Sequence, residues 1–200
     1  MDRDPPKLRP DQKVIVEIVT PGASVLDLGC GRGELLAALA EQKQAKGQGI
    51  EIDDDAILRC VSKGLNVFHD DIDRGLPEYG DRSFDFVILD QTFQQVKKPD
   101  EVLKESLRVG TRVIVGFPNF ATLGTRLQLG LRGRTPVTTS LPYEWYDTPN
   151  LHFLSILDFV DFCKKKAIRI ERAFYFTSKR RIRIRPNLFA ETGVFLISKA

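Results

Sequence analysis

Residues 25–33 read VLDLGCGRG, and most of the fold follows from them. A short apolar run reaches an acid, Asp27. Glycines then stand at Gly29, Gly31 and Gly33, and the amphipathic stretch LLAALAEQK follows at residues 35–43. That order is strand, tight turn, helix. Glycine is needed where the backbone takes a positive φ or where a ligand touches bare main chain. The helix N-terminus beyond the turn offers free N–H groups and the positive end of a dipole. The stretch therefore predicts a nucleotide-like ligand site at the first strand–helix corner of an α/β sheet.

What the turn lacks narrows the ligand. The dinucleotide fingerprint G-x-G-x-x-G needs glycine at position 34, where Glu34 stands, and the chain has no G-K-[ST] of a P-loop. An acid two residues before the first glycine suits a ligand that is cationic at this turn, not a pyrophosphate. S-adenosylmethionine carries a sulfonium, an ammonium and no phosphate. It, or its demethylated product S-adenosylhomocysteine, is the expected ligand. Later acids agree. The second strand, GQGIEID, ends at Glu51, 22 residues after Gly29, where a carboxylate accepts from both ribose hydroxyls. The third, LNVFHDDID, ends near Asp71, where a carboxylate accepts from the adenine amine while nearby backbone reads the ring. The fourth, FDFVILD, ends at Asp90 and Gln91, facing the place of the methyl group. The candidate cofactor-binding set is Asp27, Gly29, Cys30, Gly31, Gly33, Glu51, Ile52, Asp71, Ile72, Asp90 and Gln91. No catalytic residue and no metal ligand is assigned.

This constellation resembles the class I S-adenosylmethionine-dependent methyltransferases. The resemblance implies an α/β fold: one doubly wound, Rossmann-like sheet of seven strands, one of them antiparallel. The order of elements agrees. Residues 11–20 read as an entry helix with Val14, Ile15, Ile18 and Val19 on one face. Further helices are expected at 54–63 and from Pro99, with Val102, Leu103, Ser106 and Leu107 inward, and a fifth strand at 111–118. Ser155 and Asp158 have the form of a capping box, with Phe159, Phe162 and Cys163 behind it. IRIERAFYF and TGVFLISK close the chain as a hairpin-like pair of strands. One domain over residues 1–200 is expected, with an insert at about 119–153.

Composition sets bounds. Two hundred residues suffice for a sizeable core, and a net charge of +3 is too mild to imply a nucleic-acid partner. Cys30, Cys60 and Cys163 form no C-x-x-C, which points away from disulfides and zinc and towards a reducing cytoplasm. Cys30 reads either as a redox-sensitive thiol or as small filler in a tight turn. The polar start MDRDPPKLRPDQ is no signal peptide, and no apolar run is long enough to span a membrane. Lys179, Arg180, Arg181, Arg183 and Arg185 alternate with Ile182 and Ile184, as a charged hairpin edge or as a nucleic-acid contact.

The acceptor side departs from common methyltransferase patterns. After the fourth strand stand Asp90-Gln91-Thr92-Phe93, without the N/D-P-P-Y/F turn of amine methylation, and then Gln94-Gln95 instead of a Glu-His pair. His69 and His152 have no partner set for a metal. The insert is the distinctive part. FPNF, GRTPVT, LPYEWYDTPN and RPNLFAE, with ILDQTFQQVKKPDEVL before them, resemble the MetW family of methionine biosynthesis over nearly the whole chain. That resemblance implies a methyltransferase-like protein working beside a homoserine O-acyltransferase as accessory or regulatory subunit. The alternatives are a methyltransferase for a small molecule and, last, one for nucleic acid using the basic turn. In the insert, Tyr143, Trp145 and Tyr146 read as a partner surface, a lid, or buried core. RLQLGLRGR fits either an alternating strand or a helix.

Overall fold

The computed structural model describes residues 8–200. The start, residues 1–7, read above as part of a non-signal leader, lies outside the described residues. Alternation of strand and helix builds a seven-stranded sheet in the order β3-β2-β1-β4-β5-β7-β6. Its strands are β1 (Ser24–Leu28), β2 (Lys46–Glu51), β3 (Asn66–His69), β4 (Phe84–Asp90), β5 (Gly110–Pro118), β6 (Ile168–Phe176) and β7 (Thr192–Lys199). All are parallel except β7, which runs antiparallel to both β5 and β6. The strand order reverses between β1 and β4, which opens a crevice beyond their carboxyl ends.

The central strands are apolar on both sides because helices cover both faces. Leu26, Leu28, Val87, Leu89, Val113 and Val115 pack on one face beneath α4 (Pro99–Val109) and α6 (Ile156–Lys165). Val25, Phe86, Ile88 and Ile114 pack on the other, beneath α1 (Pro10–Ile18) and α2 (Glu34–Lys43). The expected face of α1 is buried, and Ser155 caps α6 in a reciprocal box with Asp158. A small cluster of Cys30, Leu36 and Cys60 underlies the glycine turn, with Cys60 supplied by α3 (Asp54–Ser62).

The structure settles several points that the sequence left open or approximate. The third strand stops at His69, so Asp71 is not its end but the cap of a single 3-10 turn (Ile72–Arg74), accepting from the N–H of Asp73 at 3.0 Å. The segment 179–185 folds back on the edge strand β6 for only a short way: it makes an antiparallel bridge between Phe176 and Arg181, the N–H of Ile182 donates to the carbonyl of Tyr175 at 2.7 Å, and the chain then leads into the short α7 (Pro186–Phe189). Arg181 and Arg172 both lie over the ring of Phe174, at 4.6 and 4.8 Å. RLQLGLRGR resolves as helix, α5 (Leu123–Arg132), and the aromatics of the insert are exposed, not core.

Candidate functional site

Parallel strands joined by helices bring every strand's carboxyl end to one rim, and there a cavity of about 490 Å³ opens. Asp27, Gly29, Cys30, Gly31, Glu51, Ile52, Asp71, Ile72, Asp90 and Gln91 all line it. Gly33 is not on its wall. It starts α2 at φ 77, and a side chain there would run into Leu65 and Cys60.

The glycine turn is shaped from both sides. Gly29, at φ 73, lies so close to Thr92 that an added Cβ would fall 2.6 Å from the Thr92 hydroxyl. Gly31, at φ 55, has no protein atom within 4 Å of where its Cβ would be. That space belongs to the cavity. The N–H of Gly31 donates to Glu51 Oε2 at 2.7 Å, and the N–H groups of Ile52 and Asp53 donate to Glu51 Oε1 at 2.8 and 3.0 Å. Glu51 therefore fastens the turn to the end of β2; its Oε1 already accepts twice, and its Oε2 keeps a lone pair for a further donor. Ile52 and Ile72 add aliphatic surface beside Asp71.

The cavity also carries two buried acids, Asp27 and Asp90. Asp27 is 2% exposed, and its carboxyl is held well above the ordinary range by burial, then by the charges of Asp90 and Glu51. Asp90 is pushed up to about 7, by burial and then by Asp11, against the pull of Arg9. Its Oδ1 is buried with no hydrogen-bond partner, while its Oδ2 accepts from Arg9 Nη2 at 2.6 Å. Arg9 also donates to Asp11 through Nε and Nη2. Sequence reasoning missed Arg9 and Gln12, both on the cavity wall. The local signal was only a polar helix start, and Asp90 lies 81 residues away.

The remaining candidates sort plainly. The Cys30 thiol is raised by burial and then by Asp27, and an added Cβ at Gly49 would meet its Sγ at 2.5 Å. It is filler, not a reactive thiolate. His69 faces Asp54 at 3.5 Å outside the cavity wall, and His152 Nε2 pairs with the carbonyl of Val96 at 3.0 Å. Gln94 is buried and Gln95 reaches the wall. A second cavity of about 560 Å³ meets the first at Arg9, Gln91 and Gln95. Among the described residues no group of three or more His, Cys, Asp and Glu is arranged to hold a metal, and no helix is long and apolar enough to cross a membrane.

An S-adenosylmethionine fits this chemistry on three counts. Bare backbone at Gly31 leaves room for it, Glu51 Oε2 has a lone pair to offer, and the unpaired Oδ1 of Asp90 near Asp27 calls for a cation. The fold is that of the class I S-adenosylmethionine-dependent methyltransferases. A protein of that type from Archaeoglobus fulgidus superposes with a TM-score of 0.70 over 94% of this chain and 90% of that one, at 16% identity. The [4+2]-cyclase SpnF superposes with a TM-score of 0.68 over 94% of this chain and 80% of that one, also at 16% identity, so the fold alone does not imply methyl transfer. The chain belongs to the MetW family, whose model, "Methionine biosynthesis protein MetW", matches residues 9–197. A bifunctional methionine biosynthesis protein MetXA/MetW from Rhodopirellula baltica is 36% identical over 94% of this chain and 32% of its own length. This chain spans about a third of the length of the curated relatives it matches.

Proposed function

We propose that this chain binds S-adenosylmethionine in the cavity of the glycine turn and serves as an accessory or regulatory subunit of homoserine O-acyltransferase. Glu51 would hold the ribose hydroxyls, Asp71 the adenine amine, and Asp27 with Asp90 the cationic end. Bound cofactor supplies a report of the end-product pool, and the chain's own residues hold it and carry its presence to a partner. The observation that carries the accessory role is the relative in which a MetXA unit and a MetW unit share one polypeptide. The acceptor side agrees, because Gln94-Gln95 supply no base where small-molecule methyltransferases often carry Glu-His. Three free, buried cysteines suit a reducing cytoplasm.

The test uses purified proteins. The acyltransferase is assayed alone, with this chain, and with this chain plus S-adenosylmethionine. Co-purification and a change in acyltransferase rate on adding the chain are expected, with a further change on adding cofactor. No association and no change in rate would end the accessory reading. Methyl transfer to a small acceptor in the same mixture would replace it with the enzyme reading.

A further inference from the structure

Helix α5 buries almost none of its side chains in its own protein. Of its ten residues only Thr125 is buried. Two are glycines, Gly124 and Gly130, the poorest helix formers after proline. Isolated helices of this length are marginal in water, and most helices are kept by burying an apolar stripe. Here the stripe exists but faces solvent. Leu123, Leu127 and Leu131 stand four residues apart on one side, exposed by 42%, 48% and 80%.

The stripe continues into the aromatic insert. The side chain of Gln128 clamps the backbone of Val137, accepting from its N–H at 3.2 Å. Thr135 and Pro136 share a shallow cleft with Tyr143, Trp145 and Phe153. Phe153 packs on Phe120, ring centres 4.8 Å apart, just before α5. Trp145 and Tyr146, both 71% exposed, stand edge to face. Contiguous apolar surface of this kind marks an interaction site, and tryptophan and tyrosine are the usual anchors of one. Along α5 the charge is basic: from residue 122 to residue 143 the charged residues are Arg126, Arg132 and Arg134, while Glu144 and Asp147 flank Trp145 and Tyr146 at the aromatic end.

We infer that α5 and the insert together form one docking face, an apolar ridge that is basic along α5 and carries Glu144 and Asp147 at its aromatic end, for homoserine O-acyltransferase, given the accessory role proposed above. The occupant follows from the relative in which a MetXA unit and a MetW unit share one polypeptide, and the arginines of α5 call for carboxylates on the partner's side of the contact. The second cavity includes Thr139, Ser140, Pro142 and Tyr143 from the same insert and meets the cofactor cavity at Gln91. The docking face and the ligand site are thus joined by contiguous structure.

Calorimetry of the purified chain against purified acyltransferase tests this, with three variants. Leu127→Asp/Leu131→Asp should weaken binding at least 100-fold, and Trp145→Ala at least 30-fold. Arg126→Glu/Arg132→Glu should slow association about tenfold at low salt and remove most of the salt dependence. All the altered side chains are on the surface, so circular dichroism and binding of S-adenosylmethionine should match the parent. Two separate segments are altered, so local loss of α5 in one variant leaves Trp145→Ala to decide. If the parent binds and the variants bind within twofold of it, this face is not the interface, although the accessory role stands. If the parent binds no acyltransferase, the accessory role fails and the docking face with it. If the parent self-associates and the leucine variant is monomeric, the occupant is a second copy and the inference is overturned.

Discussion

Asp90 should make the protein less stable as the pH rises, and Asp90→Asn should remove that dependence. The ordinary aspartate value is 3.8, and Asp90 sits at about 7 in the folded chain because it is buried beside Asp11, with Arg9 and Gln12 pulling the other way. Below pH 4 the carboxyl is protonated in both states and contributes nothing. Between about 4 and about 7 the unfolded chain releases its proton while the folded chain keeps it, so unfolding is favoured progressively. Above about 7 the full difference applies. A rise from 3.8 to about 7 corresponds to about 4 kcal/mol, which is the ceiling of the effect. The assay is urea unfolding at pH 5, 6, 7 and 8 for parent and variant. The parent should lose stability relative to Asp90→Asn across this range, most steeply between pH 5 and 7. S-adenosylmethionine, cationic at the same place, should flatten the parent's curve, and the neutral-sulfur product should flatten it less. Parallel curves for parent and variant would refute the reasoning, because Asp90 would then be ionised throughout.

Three further outcomes follow from the same geometry. Glu51→Ala should weaken S-adenosylmethionine binding roughly ten- to hundredfold, since hydrogen bonds to a charged group contribute about 1.5–3 kcal/mol; a 2′,3′-dideoxy analogue that binds the parent normally would count against the ribose contact. Gly31→Val puts a branched side chain at φ 55 into the cavity, so calorimetry should detect no binding, and unchanged affinity would remove the site from this turn. Ser155→Ala breaks the box with Asp158 and should lower stability by about 1 kcal/mol in thermal unfolding without touching ligand affinity; no change would mean the cap contributes nothing.

Much of this protein is legible along the chain because parallel β/α alternation turns sequence order into position. Once residues 25–43 read as strand, turn and helix, the ends of the next strands must reach the same rim, and Asp27, Glu51 and Asp90 do line one cavity there. Asp71, expected near the end of the third strand, lines it too, as the cap of a 3-10 turn two residues past β3. Local chemistry also settled the Ser155 cap and the inward face of α1, because a cap and a helical stripe are properties of a few neighbouring residues. Tertiary structure alone decided the rest. Arg9 meets Asp90 only because α1 folds back across the crevice, and no local pattern encodes a contact between residues so far apart. The basic run reads as a charged hairpin edge or a nucleic-acid contact; its start does fold back on β6, but alternation could not show that the pairing is one bridge long or that Arg181 lies over Phe174. The leucines of α5 and the aromatics of the insert look in sequence like core residues. Their exposure depends on which surfaces the remaining elements have already covered, a property of the packed whole that hydrophobicity along the chain does not contain.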